Sequence, residues 1–415
     1  MIVHAAHKTE LKPNNKQKTH LSRHAGTARF AYNWGLARRI EEYKKTGTSS
    51  NAILQHRQLN ALKGAEFPWM YEVSKCAPQE ALRDLDSAYR NAFARIRNGA
   101  KSPGFPRFKS KKRGKGSFRL TGSIRVFEGG LQLPSLGFIR LKEKGYIPVG
   151  NDGDILSATC SERGGKWYVS VLRRIEMPEP EAAEGEAVGV DLGVKSAAVV
   201  SDGRVFPNPK ALDKSLGKLI RLQRKLSKQP KGSKNRHKTA ARIGKCHRHI
   251  ADIRRDSMHK ATSAICKAKT KPSVIVLEEL NVKGMAGNRK LSRAISDAGM
   301  GEFRRQIEYK AAQNGIRVMT APRFFASSCL CSACGAKNEN LKLADRNWKC
   351  SCGAEHDRDL NAAINLKLLA DTASSAGIYA CGDTYGGGTR KNPRSTSYVS
   401  EKQEADAEYS YGIFG

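Results

Sequence analysis

Three acidic residues and four cysteines carry the chemistry open to this sequence. Asp191 interrupts an apolar run, AVGVDLGV, and Glu278 ends another, SVIVLEEL. Asp359 opens an Ala/Leu-rich stretch, DRDLNAAINLKLLA, at 357–370. A carboxylate set in an apolar strand is costly to bury unless something pairs with it, and a metal ion is the usual partner. No His or Cys accompanies the acids in these segments, so hard cations with oxygen ligands suit them. Such a set can converge on two Mg²⁺ ions, or Mn²⁺ in their place, held about 3.5–4 Å apart, which stabilise the attacking and leaving oxygens of phosphodiester hydrolysis. The purely structural reading is an N-capping Asp359 and strand-end acids on a sheet edge.

The cysteines point to a different metal. Cys331-x-x-Cys334-Gly and Cys350-x-Cys352-Gly are separated by fifteen residues and read as the two knuckles of a zinc ribbon. Four thiolates close the coordination sphere, so one Zn²⁺ here is structural and activates no water. The second pair is one residue tighter than the usual spacing. Cys329 is a spare thiol, and His356 could replace one ligand. The remaining cysteines, of ten in all, are scattered singly, which suits a reducing compartment better than a disulfide scaffold.

The elements that must position these groups can be read from periodicity. Before 118 the chain reads as helical. Leu21, Ala28, Tyr32, Leu36 and Ile40 recur at helical spacing up to Gly47, and Leu82, Leu85, Tyr89, Phe93 and Ile96 form a second stripe ending at Gly99. Residues 101–117, KSPGFPRFKSKKRGKGS, form a basic loop. Phe105 and Phe108 stand among Arg107, Lys109, Lys111 and Lys112, a mixture that suits base stacking beside phosphate neutralisation and equally a linker with two apolar anchors. From 118 to 176 short alternating runs separated by Gly-Gly and Pro-Ser turns predict a small β-barrel, its first strand supplied by MIVHA at the N-terminus. An acidic, Pro-rich linker, 177–186, marks a boundary.

Beyond it, strands at 187–192, 196–200 and 204–206 are joined by hairpins and followed by a long basic helical section, 210–268, broken at Pro230 and Gly232. There Leu219, Leu222 and Leu226 form the apolar stripe, leaving Arg221, Arg224 and Lys225 outside it. The run 273–278 predicts a buried central strand with Glu278 at its C-terminal tip, the usual place for an active-site residue in an open α/β sheet. A helix at 302–314, a strand, the cysteine cluster and the helix from 357 complete the order.

The balance of 74 Lys+Arg against 39 Asp+Glu, a net +35, spreads along the whole chain and favours a polyanionic partner. No run of about 18 apolar residues predicts a membrane span. MIVHAAHKTELKP lacks the pattern of a signal peptide, so a cytoplasmic location is expected.

These segments together resemble TnpB, the RNA-guided endonuclease family encoded by insertion sequences and related to type V CRISPR effectors. The likeness runs through GTARFAYNWGLA, GFPRFKSKK, GKWYVSV, VGVDLGVKS, VLEELNVKGM, SSCLCSACG, WKCSCG and HDRDLNAAINL. It implies a multidomain α+β chain: a wedge-type β-barrel (1–10 and 118–180) carrying a helical recognition domain (11–117), then a RuvC/RNase H-like nuclease (185–326 and 356–373) interrupted by a zinc ribbon (327–355), with a disordered tail (374–415). It also implies that Asp191, Glu278 and Asp359, rather than Asp357, are the catalytic acids. Glu279 would be an accessory acid and Arg346 would reach the scissile phosphate. The cofactors and partners implied are Mg²⁺, Zn²⁺, a guide RNA from the transposon end, and target double-stranded DNA cut beside a short motif; in a prokaryotic cell the protein would be nucleoid-associated when on DNA. The alternatives are a transposition accessory or regulator that binds nucleic acid without cleavage, and a DDE-type transposase. The chain departs from the family's habit at Cys329, where Lys or Gln is common, and at the compact Cys350-Ser351-Cys352.

Overall fold

The structure, a computed structural model, describes residues 2–375 apart from 101, 112–115, 150–153, 290, 324 and 343–344. Lys112 and all but the first two residues of the expected tail therefore lie outside the described residues. The chain divides between Pro178 and Glu179 into two compact units.

In the first unit, β1 (Ile2–Lys12) is followed by α1 (Asn15–Thr46), α2 (Ala52–Lys63), a 3₁₀ turn (Pro68–Glu72) and α3 (Cys76–Arg97). Asn14 and Gln17 form a reciprocal capping box at the start of α1, and Gly47, at φ 70°, ends it by donating to Tyr43 O. Then come β2 (Ser117–Leu120), β3 (Arg125–Phe127), β4 (Gly130–Leu133), β5 (Gly137–Leu141), β6 (Asp154–Arg163) and β7 (Lys166–Glu176). The sheet order is β2-β6-β7-β1-β5-β4-β3, so the N-terminal strand sits at its centre and the helices are inserted between it and the edge strand β2. Leu21, Leu36, Leu82 and Leu85 pack with Leu120, Ile139 and Val171 in one core. Two stripes run further in sequence than in space. Ile40 of α1 is 38% exposed; in α3, Phe93 is 51% and Ile96 45% exposed, because its last turns leave the core and Phe93 is met instead by Phe105, 5.9 Å away.

The second unit is built on β8 (Val188–Asp191), β9 (Ser196–Val200), β10 (Val205–Pro207), α4 (Ala211–Ser227), α5 (Lys234–Cys266), β11 (Val274–Glu278), α6 (Val282–Ala286), α7 (Ser292–Ala298), α8 (Met300–Gln313) and β12 (Arg317–Ala321). A short hairpin, β13 (Asn347–Lys349) and β14 (Glu355–Asp357), leads straight into α9 (Arg358–Ser375). The five-stranded sheet runs β10-β9-β8-β11-β12. Its first three strands are antiparallel neighbours, and β8, β11 and β12 are parallel. Both faces are covered, which is why β11 reads as an unbroken apolar run. Ile275 and Leu277 pack with Met258, Phe303 and Ile307 of α5 and α8, whereas Val274 and Val276 pack with Leu366 and Ala370 of α9. α9 lies unusually close to β8: a Cβ at Gly189 would stand 2.0 Å from Ala363 O.

Candidate acid cluster and four-cysteine site

Side chains alternate between the faces of a strand. Gly189 lies under α9, so Asp191, two residues on, points to the same side. Val274 and Val276 face α9, so Glu278 does too. Leu277 pairs with Val190, which sets the two acids on adjacent strands at the same end of the sheet. Asp359 begins the helix that covers that face, one turn before Ala363. The three carboxylates thus come to the same end of one sheet face although 168 residues separate the first from the last in the sequence.

Electrostatics records the meeting. Burial, then Glu278, then Asp359 push the Asp191 carboxyl up to about 8, with Arg358 and Arg346 pulling the other way. Ser327 Oγ donates a hydrogen bond to Glu278 Oε1. Arg346 Nη1 lies 3.3 Å from Asp359 Oδ1. Asp357 plays another part, since its Oδ1 accepts from the backbone N–H groups of Asp359 and Leu360, at 3.1 and 2.9 Å, and caps α9. Because Asp357 is the cap, the Asp359 carboxylate is left for the cluster. Glu279 is exposed. An all-oxygen donor set on converging elements fits divalent hard cations.

The four cysteines form a tighter group. The sulfurs of Cys331, Cys334, Cys350 and Cys352 all lie within 4.8 Å of one another. Cys331 and Cys352 are 3.7 Å apart, and Cys334 and Cys350 3.6 Å. Zn–S bonds of about 2.3 Å place tetrahedral ligand sulfurs about 3.8 Å apart, so the set fits Zn²⁺. The knuckles are alike in design. Cys331 N donates to Ala336 O and Cys350 N to Ala354 O, each at 2.8 Å. Gly335 (φ 76°) and Gly353 (φ 93°) turn the chain in the left-handed region. The second knuckle closes the same loop with one residue fewer, so the compact Cys350-Ser351-Cys352 still brings both sulfurs to the centre. The Cys352 N–H pulls the Cys350 thiol down to about 6. The Ala336 N–H acts likewise on Cys334, but the neighbouring sulfurs outweigh it and push that thiol to about 12. Cys329 stands outside the group; His356 Nε2 lies 3.0 Å from Cys331 Sγ, beside the group without being one of its four members.

Sequence reading missed the residues that join the two sites. Asn361 and Asn365, 1% and 5% exposed, project from α9 toward the segment entering the first knuckle. Asn361 Nδ2 donates to Leu330 O at 2.6 Å and its Oδ1 accepts from Ser332 N at 3.0 Å. Asn365 Nδ2 donates to Ser327 O and Leu330 O, both at 2.7 Å. The available signal was NAAIN itself: two amides four residues apart on an otherwise apolar helix face require partners.

The basic candidates fall in both units. Arg221, Arg224 and Lys225 are exposed on α4, opposite Leu219, which is buried against α5. Phe105, Arg107, Phe108 and Lys111 are exposed. Lys109 differs: the residue as a whole is exposed, but Nζ turns in over the Tyr32 ring, 3.8 Å from the centroid, and burial lowers its pKa. Asn33 holds the Lys109 backbone through both N–H and C=O.

A mixed sheet that brings carboxylates from two central strands and a covering helix to one end, beside a group of four cysteines that could hold a metal ion, defines a mixed α+β protein. Comparison with known proteins makes this specific. Residues 158–289 match a family model described as "Probable transposase", and 301–366 a "Cas12f1-like, TNB domain". A "Helix-turn-helix domain" model matches 1–48, although the described residues there form one strand and one long helix. A Streptomyces pristinaespiralis protein named "Putative RNA-guided DNA endonuclease" is 34% identical over 97% of this chain and 96% of its own length. "Putative RNA-guided DNA endonuclease InsQ" of Escherichia coli K12 is 31% identical over 91% and 94%. The fold is shared with the protein of a solved Cas12f1–sgRNA–target DNA complex, at a TM-score of 0.50 and 18% identity over 85% of this chain and 83% of that one. The chain belongs to the TnpB family.

Proposed function

We propose that this chain is the RNA-guided DNA endonuclease of a transposable element, cutting DNA at a guide-complementary site beside a short motif. The observation that carries the proposal is the convergence of Asp191, Glu278 and Asp359 on the α9 side of one sheet end. The relatives' names and the net charge of +35 support nucleic-acid partners: a guide RNA and target double-stranded DNA. In this reading the second unit is a RuvC-like nuclease interrupted by a zinc ribbon, and the first is a wedge-type β-barrel with an inserted helical recognition domain.

Asp191, Glu278 and Asp359 would hold two Mg²⁺ ions, which when bound supply a metal-activated water and charge stabilisation for in-line phosphodiester hydrolysis. Arg346, exposed beside Asp359, is placed to hold a phosphate oxygen at the same end of the sheet. Cys331, Cys334, Cys350 and Cys352 hold a structural Zn²⁺ and take no part in the chemistry. Guide pairing reads sequence, and the protein reads backbone shape, so exposed cations such as Arg221, Arg224 and Lys225 suffice without a recognition helix. No helix among the described residues is long and apolar enough to cross a membrane, and a cytoplasmic, DNA-associated protein is the reading that suits these partners.

Asp191→Ala should abolish cutting of a guide-matched duplex while guide-RNA binding stays within about twofold of wild type. Wild-type cutting by this variant would refute the assignment.

A further inference from the structure

Among the three acids, Glu278 is the one whose carboxylate is held by a neutral side chain. Its Oε1 accepts from the hydroxyl of Ser327, which is 3% exposed. Its Oε2 has no hydrogen-bond partner among the described residues. Ser327 is itself held at its backbone, because its carbonyl accepts from Asn365 of α9, the helix whose first turn carries Asp359. The orientation of the second acid is therefore set by a side chain anchored to the helix of the third.

We propose that Ser327 is a positioning residue that keeps Glu278 a one-oxygen ligand and so sets the preference of the acid cluster for Mg²⁺ over Ca²⁺. The proposal rests on reading the three acids as a divalent-cation site. Ca²⁺ takes six to eight oxygens and readily accepts both oxygens of one carboxylate, whereas Mg²⁺ demands near-octahedral single-oxygen ligation. With Oε1 engaged by a buried hydroxyl, Glu278 presents Oε2 as its unengaged ligand oxygen, and bidentate ligation has to compete with the Ser327 hydrogen bond. That matches the smaller ion and withholds the extra ligand the larger one needs. Without the hydroxyl, the carboxylate is free to turn and offer both oxygens.

The test uses the full-length, zinc-loaded, RNA-free protein and reads bound Mn²⁺ by electron paramagnetic resonance, with Mg²⁺ and Ca²⁺ as competitors. In Ser327→Ala, Mg²⁺ should compete about tenfold less well, the size of effect typical of losing an outer-shell partner, while Ca²⁺ competes as well as before or better. Zinc content and melting temperature of the same samples report folding. Equal weakening of both ions would mean that Ser327 only supports the loop, and an unchanged ratio would mean that it does not orient Glu278; either overturns the proposal. Asp191→Asn separates the two levels. If it leaves Mn²⁺ binding untouched, the acids are not the cation site and both readings fall. If it removes binding while Ser327→Ala leaves the ratio unmoved, only the role of Ser327 falls.

Discussion

Replacing Asp191 by Asn should make the Mg²⁺-free protein more stable at alkaline pH. The Asp191 carboxyl is pushed from 3.8 to about 8, first by burial and then by Glu278 and Asp359. Below about pH 4 the carboxyl is protonated in folded and unfolded chains alike and costs nothing. Between 4 and 8 the folded protein keeps a proton that the unfolded chain releases, so the residue lowers stability steadily as pH rises. Above 8 the penalty is complete. At about 1.4 kcal/mol per pH unit the upper bound is on the order of 5 kcal/mol; water entry and relaxation should leave about 2 kcal/mol, which for a unit of this size is roughly 4–8 °C in melting temperature. Asn is nearly isosteric and carries no charge. Calorimetric or fluorimetric melts of wild type and Asp191→Asn, with zinc retained and no Mg²⁺ added, should coincide near pH 4 and diverge toward pH 8.5 in favour of the variant. Added Mg²⁺ should stabilise the wild type alone, its apparent affinity rising up to about tenfold per pH unit below 8 because binding displaces the proton. A variant that melts at or below wild type at pH 8.5, or a gap that ignores pH, would refute the reasoning.

Three further outcomes follow from the same geometry. Removing the zinc, or substituting Cys334→Ser, should increase amide exchange over 327–361 and lower cleavage; unchanged exchange at the start of α9 would show that the cysteine module does not hold it. Asp357→Ala should cost about 1 kcal/mol as a lost N-cap and leave measurable cleavage, whereas Asp359→Ala should leave none, a contrast that a single-turnover cleavage assay resolves. Charge removal at Arg221, Arg224 and Lys225 together should weaken RNA binding uniformly across sequences and reduce the slope of log affinity against log salt by about 2; an unchanged slope would place the RNA elsewhere.

Much of the acid cluster is legible in the chain because of how the sheet is covered. A strand with helices on both faces is apolar throughout, so Asp191 and the Glu278 tip stand out against VGV and VIVL. The knuckles are legible because thiolate ligation fixes spacing locally. What escapes is tertiary and polar. Ser327, Asn361 and Asn365 owe their roles to backbone groups of a segment that only the fold brings to α9. That Asp357 rather than Asp359 caps α9 cannot be read from the spacing of DRD alone, where either could serve; only the family resemblance singles out Asp359. α6 and α7 are too short for a period, and α3 outruns its own core, so a helical stripe continuing to Phe93 and Ile96 overstated what is buried. Lys109 reads as one more loop cation, and only the Tyr32 ring beneath it shows that its charge turns inward.

The placement of the cysteine module directly before the third acid has a mechanical logic. β13 and β14 pair over three residues each, and an isolated two-stranded hairpin of that length is marginal in water. Yet its register decides where α9 begins: Asn347 pairs with Asp357, and Arg358 N continues the ladder to Arg346 O at 2.7 Å. A slip of one residue would rotate Asp359 by about 100° around the helix and carry it off the face shared with Asp191 and Glu278. Each knuckle supplies two of the four thiols, and the second lies between the hairpin's strands, so a single ion bound there would prevent that slip. Arg346 is carried by the same ladder, which keeps its guanidinium beside Asp359. A closed four-thiolate site is suited to this work because it stabilises the fold without offering an open coordination position that would compete with the chemistry next to it.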